Sequence, residues 1–207
     1  MSTTDTQETA ERGDPDGFWL ALPEGWFILD LDPRTAEAGI DQLLASRLAE
    51  DPTLAPEIGE LKQVLLRTAA EADKAGVEFT ACYAAAIGED LLVTASLGVV
   101  VHTIGEQVSL RSIEEGLTER GAGPRMSMVE SAAGPAAKVR DRSVIPIPGS
   151  EQQLEVALRH YYVPVPGGHR IALLSFSTPT LPLEDDLDQL FDAMVGSFQF
   201  TWDEDEG

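Results

Sequence analysis

The run from Leu91 to Val101 carries no charge on either side of an extended chain, and it constrains the fold more than any other feature. Successive side chains in a strand point to opposite faces. Leu91, Val93, Leu97 and Val99 fall on one side. Leu92 and Val100 fall on the other, with the small Thr94, Ser96 and Gly98 between them. A strand uncharged on both sides is expected at the centre of a sheet covered above and below. This points to a sheet sandwiched by helices. The run is shorter than the ~20 residues that a membrane-spanning helix requires.

The segments around it fit such a sheet. Val77 to Ile87 alternates, with Val77, Phe79, Ala81, Tyr83, Ala85 and Ile87 on one face, and Gly88 to Asp90 reads as the turn into the central run. Phe18–Leu22 and Trp26–Leu31 are short extended runs joined by Pro23–Gly25, with Trp19 and Trp26 expected to pack on a core. Ile40, Leu43, Leu44 and Leu48 make one helical stripe, beginning near Thr35 and broken by Pro52 and Pro56. Ile58, Leu61, Leu65, Ala69 and Ala72 make a second, ending at Gly76. The two predict a helical hairpin over 35–75.

Ser109–Arg120 reads as a short helix, Met126–Glu130 and Ala136–Val144 as paired strands, and Leu154–Val165 and Arg170–Ser177 as a hairpin turning at Pro166–Gly168. The spacing of Leu187, Leu190, Phe191, Met194, Val195 and Phe198 predicts a helix over 184–197. Thr180 is a candidate cap for a start at Leu181, and Phe198–Trp202 closes as a strand. Residues 1–16 and 203–207 are acidic and poor in apolar residues, and are expected as disordered tails around one α+β domain over 17–202. Residues 1–16 have no basic or apolar stretch of the kind a secretory signal needs.

Charge limits the function classes. Fourteen Lys and Arg against 36 Asp and Glu give a net charge of -22, which repels nucleic-acid backbones and anionic membranes. One cysteine, Cys82, excludes an internal disulfide and any Cys-based zinc site. Cys82 has no basic neighbour that would activate it, and reads as a structural thiol. His102, His160 and His169 form no local metal-binding pattern and read as structural or exposed residues. There is no nucleophile elbow, Walker loop or dinucleotide fingerprint, and the glycines of GAGP (Gly121–Pro124) serve a turn. Acid pairs such as Glu114–Glu115, Asp185–Asp186 and Glu89–Asp90 are expected on solvated faces of so acidic a chain. No catalytic residue, cofactor or metal ligand is expected.

The basic residues stand out by position. Lys138, Arg140 and Arg142 alternate along one strand and share a face, with Arg159 and Arg170 expected on adjoining strands. The stripe is a candidate site for an acidic peptide of a partner. The alternative is pairing with the chain's own surplus carboxylates.

LPEGW (Leu22–Trp26), YYVPVPGGHRIALLSFST (Tyr161–Thr178) and DDLDQLFDAMVGSFQF (Asp185–Phe200), in this order of elements, resemble the PsbP-like fold family. That family includes the photosystem II extrinsic subunit P and a Ran-binding nuclear-import factor. The resemblance spans about 18–202 and implies an α/β/α sandwich around a mostly antiparallel sheet. Its members are mostly non-catalytic assembly factors and binding partners, and the absence of a lipobox resembles the cytoplasmic kind. The Ala-rich, Asp/Glu-rich composition with few Lys resembles that of high-GC actinobacterial proteins.

The expected function is a cytoplasmic, non-catalytic protein-interaction domain, an adaptor or chaperone linked to a secretion apparatus. Its partner is another protein, with no nucleic acid and no membrane insertion, and self-association remains open. A second expectation is a small-molecule binder or enzyme with a pocket between the helical hairpin and the sheet, drawing on His160, Tyr162 and Arg140. A third is a structural subunit that uses the hairpin as its contact surface.

Overall fold

A computed structural model describes residues 14–50, 52, 55–56, 58–87, 91–105, 107–119, 126–146 and 153–202. The expected turn at Gly88–Asp90, the GAGP segment and most of both tails lie outside the described residues. The protein is α+β, with four α-helices and antiparallel strands among the described residues. These fall into two compact units, residues 25–100 and residues 14–24 with 101–202.

The 25–100 unit begins with β1′s successor in the chain, the short strand Trp26–Ile28; counting from Gly17–Trp19 as β1, it is β2. Helices α1 (Ala36–Glu50) and α2 (Ile58–Lys74) follow, then β3 (Phe79–Ile87) and β4 (Leu91–Thr103), whose last residues belong to the other unit. β2 pairs antiparallel with β3, Trp26 opposite Tyr83, and β3 with β4, Phe79 opposite Val99. Alternation in the uncharged run survives in β4: Val93, Ala95, Leu97 and Val99 are buried, while Thr94, Ser96, Gly98 and Val100 are half-buried.

The backbone of α1 starts where the N–H groups of Thr35 and Ala36 donate to the Asp32 carbonyl, at 2.9 and 2.8 Å. Ile40 and Leu44 of α1 meet Leu65 and Ala69 of α2 and Leu29, which makes one apolar cluster. Leu61, expected in the same stripe, is exposed. Gly76 ends α2 at φ +70°, as its position after the last apolar residue predicts. Gly25 turns the chain into β2 at φ +86°, and a Cβ there would stand 3.0 Å from the Tyr83 ring, so both backbone and packing select glycine.

Cys82 lies in β3 opposite Phe27 and Ser96 and is half-buried. Burial pushes its thiol up to about 11. At pH 8 the thiolate is then on the order of a thousandth of the population. Iodoacetamide is expected to modify Cys82 slowly in the folded protein and promptly in urea, as read by mass spectrometry. Equal rates would mean that the thiol is not shielded.

The other unit holds α3 (Leu110–Glu119), β5 (Met126–Ser131), β6 (Gly134–Pro146), β7 (Gln153–Pro164), β8 (Arg170–Thr178), α4 (Glu184–Gly196) and β9 (Gln199–Thr201). β5 to β8 form successive antiparallel pairs, and β1 pairs with β9, Gly17 opposite Thr201. Residues just before β1 are held as well. The Asp16 N–H donates to the Thr201 carbonyl at 3.0 Å, and Arg170 donates to the Pro15 carbonyl at 3.0 Å.

Two helices take opposite faces of the β6–β7 pair. Ile113 and Leu117 of α3 cluster with Ala137 and Val139 of β6. α4 meets the alternate residues, Lys138 and Arg140. Ser109 and Ser112 cap α3 reciprocally, each backbone N–H donating to the other's hydroxyl. Thr180 does not cap α4. Its own N–H donates to the Thr178 hydroxyl, and Leu181–Leu183 forms a single 3-10 turn before α4 starts at Glu184. The first extended run also shortens to Gly17–Trp19, which leaves Trp19 exposed, while Trp26 packs against Tyr83 with ring centroids 6.0 Å apart.

Candidate functional site

The basic stripe lies on β6 and faces α4. Register places Lys138 opposite Tyr161 and Arg140 opposite Arg159 on β7, so all four side chains share one face of the sheet with Arg142. Glu184, Asp188 and Asp192 follow one another at i, i+4 and i+8 along the side of α4 turned to that face.

Lys138 is 1% exposed, and its Nζ donates to Asp188 at 2.9 Å and to Asp192 at 2.7 Å. Arg140 donates to Asp188 at 2.6 Å. Arg159 donates to Glu184 at 2.6 Å and, through Nε, to Asp188. Arg142 pairs with Glu155 and with Glu184. The Tyr161 hydroxyl donates to Asp192 at 2.7 Å, and the Lys138 ammonium stands 5.5 Å from the Tyr161 ring centre.

Four cations thus meet four carboxylates, with most of the groups shared by two partners. Sharing matters because a buried ion loses several kcal/mol of hydration that a single partner rarely restores. Burial alone would raise the Asp188 carboxyl, but hydrogen bonds from Lys138 and Arg159 hold it below the usual carboxylate range. A hydrogen bond from Arg159 holds Glu184 below it too. Burial and the bond to Asp192 push the Tyr161 phenol well above its ordinary value, so it stays protonated. The arrangement is suited to fixing α4 on the sheet, and the groups saturate one another.

The sign of the pH dependence follows. Carboxyls lowered in the folded state contribute stability that is fully present above their unfolded value of about 4 and is lost as pH falls through the lowered folded values. Between pH 7 and 5 protonation of other acids relieves self-repulsion in a chain of net charge -22. The melting temperature is expected to rise slightly from pH 7 to about 5 and to fall steeply below about 4. Differential scanning calorimetry between those values checks it. In Asp188→Asn the acid limb is expected to be shallower.

β6 runs beyond β5: Met126 pairs with Val139, and no described strand flanks Arg140–Pro146 on that side. The Arg142 N–H on this stretch is taken by the Asp141 carboxylate at 2.9 Å, and the alternation of Arg140, Asp141 and Arg142 keeps the edge charged. Charge of this kind discourages edge-to-edge pairing.

The remaining expected residues are not brought together. His102 and His169 are exposed. His160 places Nδ1 3.0 Å from the Ser175 hydroxyl, and burial pushes its pKa down against the pull of Asp141. His160 and Tyr162 lie on the face of β7 opposite to Arg159, whereas Arg140 shares the face of Arg159, so the three do not line one pocket. Arg159 and Arg170 occupy adjoining strands but stand at different ends of the pair: Phe176 is opposite Arg159, and Arg170 meets Val165.

Among the described residues no three His, Cys, Asp or Glu side chains are placed to hold a metal ion, and no helix is long and apolar enough to cross a membrane. The sequence reading missed Asp188 and Asp192 as partners of the stripe. The signal was present, since Glu184, Asp188 and Asp192 recur at helical spacing beside Phe191 and Val195 on the apolar side of the helix. Comparison with known proteins adds no assignment: no protein-family description and no curated protein matches this chain.

Proposed function

We propose that the protein is a non-catalytic interaction module of PsbP-like α/β/α type, an adaptor or chaperone for a partner protein whose docking surface is basic. The observation that carries the reading is the internal balance of the β6–β7–α4 cluster. Its four cations are matched by four carboxylates, so the whole net charge of -22 lies outside it. Such a charge favours encounter with a cationic partner and disfavours nucleic acid. Placement of α3 and α4 on opposite faces of β6–β7 supports the sandwich reading.

The Lys138–Arg142 stripe is a weaker docking site than its sequence suggests. Lys138 is buried, and the half-exposed Arg140 and Arg142 already hold carboxylates. Exposed large apolar side chains include Trp19, Ile28, Leu61, Ile104 and Met128 on separate elements, and Ile145 and Leu154 opposite each other across β6–β7 beside Val144.

The test is affinity capture of the tagged full chain from its host at low and high salt. One basic protein recovered in stoichiometric amount at about 0.1 M salt, and lost at about 0.5 M, is the expected result. Recovery of the chain alone at low salt would overturn the reading.

A further inference from the structure

We infer that the open edge of β5 takes an added strand, an extended segment of the partner protein with long cationic side chains at alternate positions; this rests on the interaction-module reading and adds the place and the chemistry. β5 is the last strand of its sheet and pairs with β6 alone among the described residues. Ser131 and Gly134 flank a two-residue turn and so exchange both backbone bonds. Val129–Ala136 and Ser127–Lys138 repeat that pattern at every second residue. The N–H and C=O groups of Met126 and Met128 are therefore turned to the open side. Past Glu130 the chain leaving α4 crosses the strand end, where the N–H groups of Ala132 and Ala133 donate to the Gly196 and Phe198 carbonyls at 3.0 and 2.8 Å.

Register places Met126 opposite Val139 and Met128 opposite Ala137, so both methionines lie on the face that α3 covers. α3 itself rests on β6 and β7, which leaves β5 at the foot of its flank. A recess of about 430 Å³ occupies that step, lined by Met126 and by Glu114, Glu115, Thr118 and Glu119. Met128 is 42% exposed. Glu115 is paired with Arg111, whereas Glu114 and Glu119 hold no ion pair among the described residues. The edge lacks the guards seen on β6, where Asp141 takes the Arg142 N–H and Pro146 ends the strand. β5 has no proline and no lysine, and its one charge, Glu130, stands at the crossed end.

An added strand continues the pleat, so every second side chain falls on the α3 side beside Met126 and Met128. Lys or Arg at those positions lays its methylene stem on the methionines and brings its charge to Glu114 and Glu119. The side chains between them fall beside Ser127, Val129 and Ser131, where small or β-branched residues fit. A second copy of this chain brings another net charge of -22 and no cation on β5, so it lacks this pattern.

The probe is a synthetic decapeptide of alternating Lys and Thr, titrated into the full chain by fluorescence anisotropy. In antiparallel pairing the residues opposite Met126 and Met128, the lysines, turn their N–H groups to β5. N-methylation of the lysine backbone is expected to abolish binding, and N-methylation of the threonine backbone to leave it within about threefold. Met128→Pro removes an edge N–H without a partner among the described residues, a position where proline is tolerated. Met128→Pro and Glu119→Lys, both at exposed positions, are each expected to weaken binding about tenfold, which corresponds to ~1.4 kcal/mol. Glu119→Lys keeps the test readable if Met128→Pro fails to fold. Asp185→Lys reverses an exposed charge on α4, across the sheet from α3, and is expected to change binding by less than about twofold.

Loss of binding in both N-methylated peptides or in neither, or equal weakening by Asp185→Lys, would show diffuse attraction and overturn the added strand. So would failure of the Lys–Thr peptide to bind. A dimer in sedimentation velocity that Met128→Pro dissolves would put a second copy on the edge and overturn it as well. None of these results touches the interaction-module reading, which fails if the chain is captured alone at low salt.

Discussion

Asp188→Ala is expected to destabilise the protein by about 3–5 kcal/mol, because it removes the central carboxylate of a buried ion cluster. Asp188 holds Lys138, Arg140 and Arg159 together. Without it, Lys138 keeps Asp192 and Arg159 keeps Glu184, but both cations remain buried with less compensation than their lost hydration requires. Lys138→Met should cost less. Asp188 then still has two arginines, Asp192 still has Tyr161, and Met occupies much of the lysine volume. Arg140→Ala, whose guanidinium is half-exposed, should cost about 1 kcal/mol or less. Urea unfolding at pH 7 gives the order. Asp188→Ala within about 1 kcal/mol of wild type would mean that the cluster is a solvated surface network.

Phe176→Ala and Phe191→Ala are expected to cost about 3–5 kcal/mol each. Phe176 on β8 and Phe191 on α4 are almost wholly buried and stacked with ring centres 4.5 Å apart. Tyr161 meets Phe176 edge-on at 5.6 Å. Truncation leaves a ring-sized cavity between β8 and a helix that the ion cluster also fixes to the neighbouring β6 and β7, so the site has little freedom to collapse. Phe191→Leu keeps most of the volume and should cost less than about 1.5 kcal/mol. A double-mutant cycle on Phe176 and Phe191 is expected to give a coupling of roughly 0.5–1.5 kcal/mol. No coupling would mean that the rings do not act as a stacked pair.

The two predictions concern one joint, the docking of α4 on β6, β7 and β8. Apolar stacking supplies most of its stabilisation, since burial of large side chains is favourable whatever their orientation. The ion cluster supplies registry instead. Glu184, Asp188 and Asp192 find their cations at one rotation of the helix; because they recur once per turn, a slip by one turn keeps two of them on the cations and strands the third, so the cluster fixes rotation more firmly than translation. Buried ion pairs are weak contributors to net stability but costly to leave half-made.

Much of this was legible from local chemistry. The alternation of Val93, Leu97 and Val99, the helical spacing of Leu187, Phe191, Met194 and Val195, and Gly76 after the last residue of its helix each follow from the period of the element or from a steric limit on φ. Ends of elements were less legible. Leu181–Leu183 is a 3-10 turn that places Leu183, and not Thr180, at the N-cap of α4, a shift that composition does not announce. Leu61 shares the spacing of Leu65 and yet is exposed, since a stripe shows which side of a helix is apolar but not how far the covering elements extend.

The candidate sites divide along the same line. From its residues alone, the chain determines that Lys138, Arg140 and Arg142 share a strand face and that Glu184, Asp188 and Asp192 share a helix face, because both facts depend only on a repeat of two or of 3.6 residues. That the two faces meet was decided by the tertiary structure, across 42 to 54 residues of intervening chain. The same holds for the recess where β2 leaves β3, which residues 28–32 and 78–80 line together. Ile28, Asp30 and Asp32 come within reach of Glu78 and Phe79 because the helical hairpin between them folds back and returns the chain to the same edge. Local sequence sets which side a residue faces, whereas the path of the chain sets what it faces.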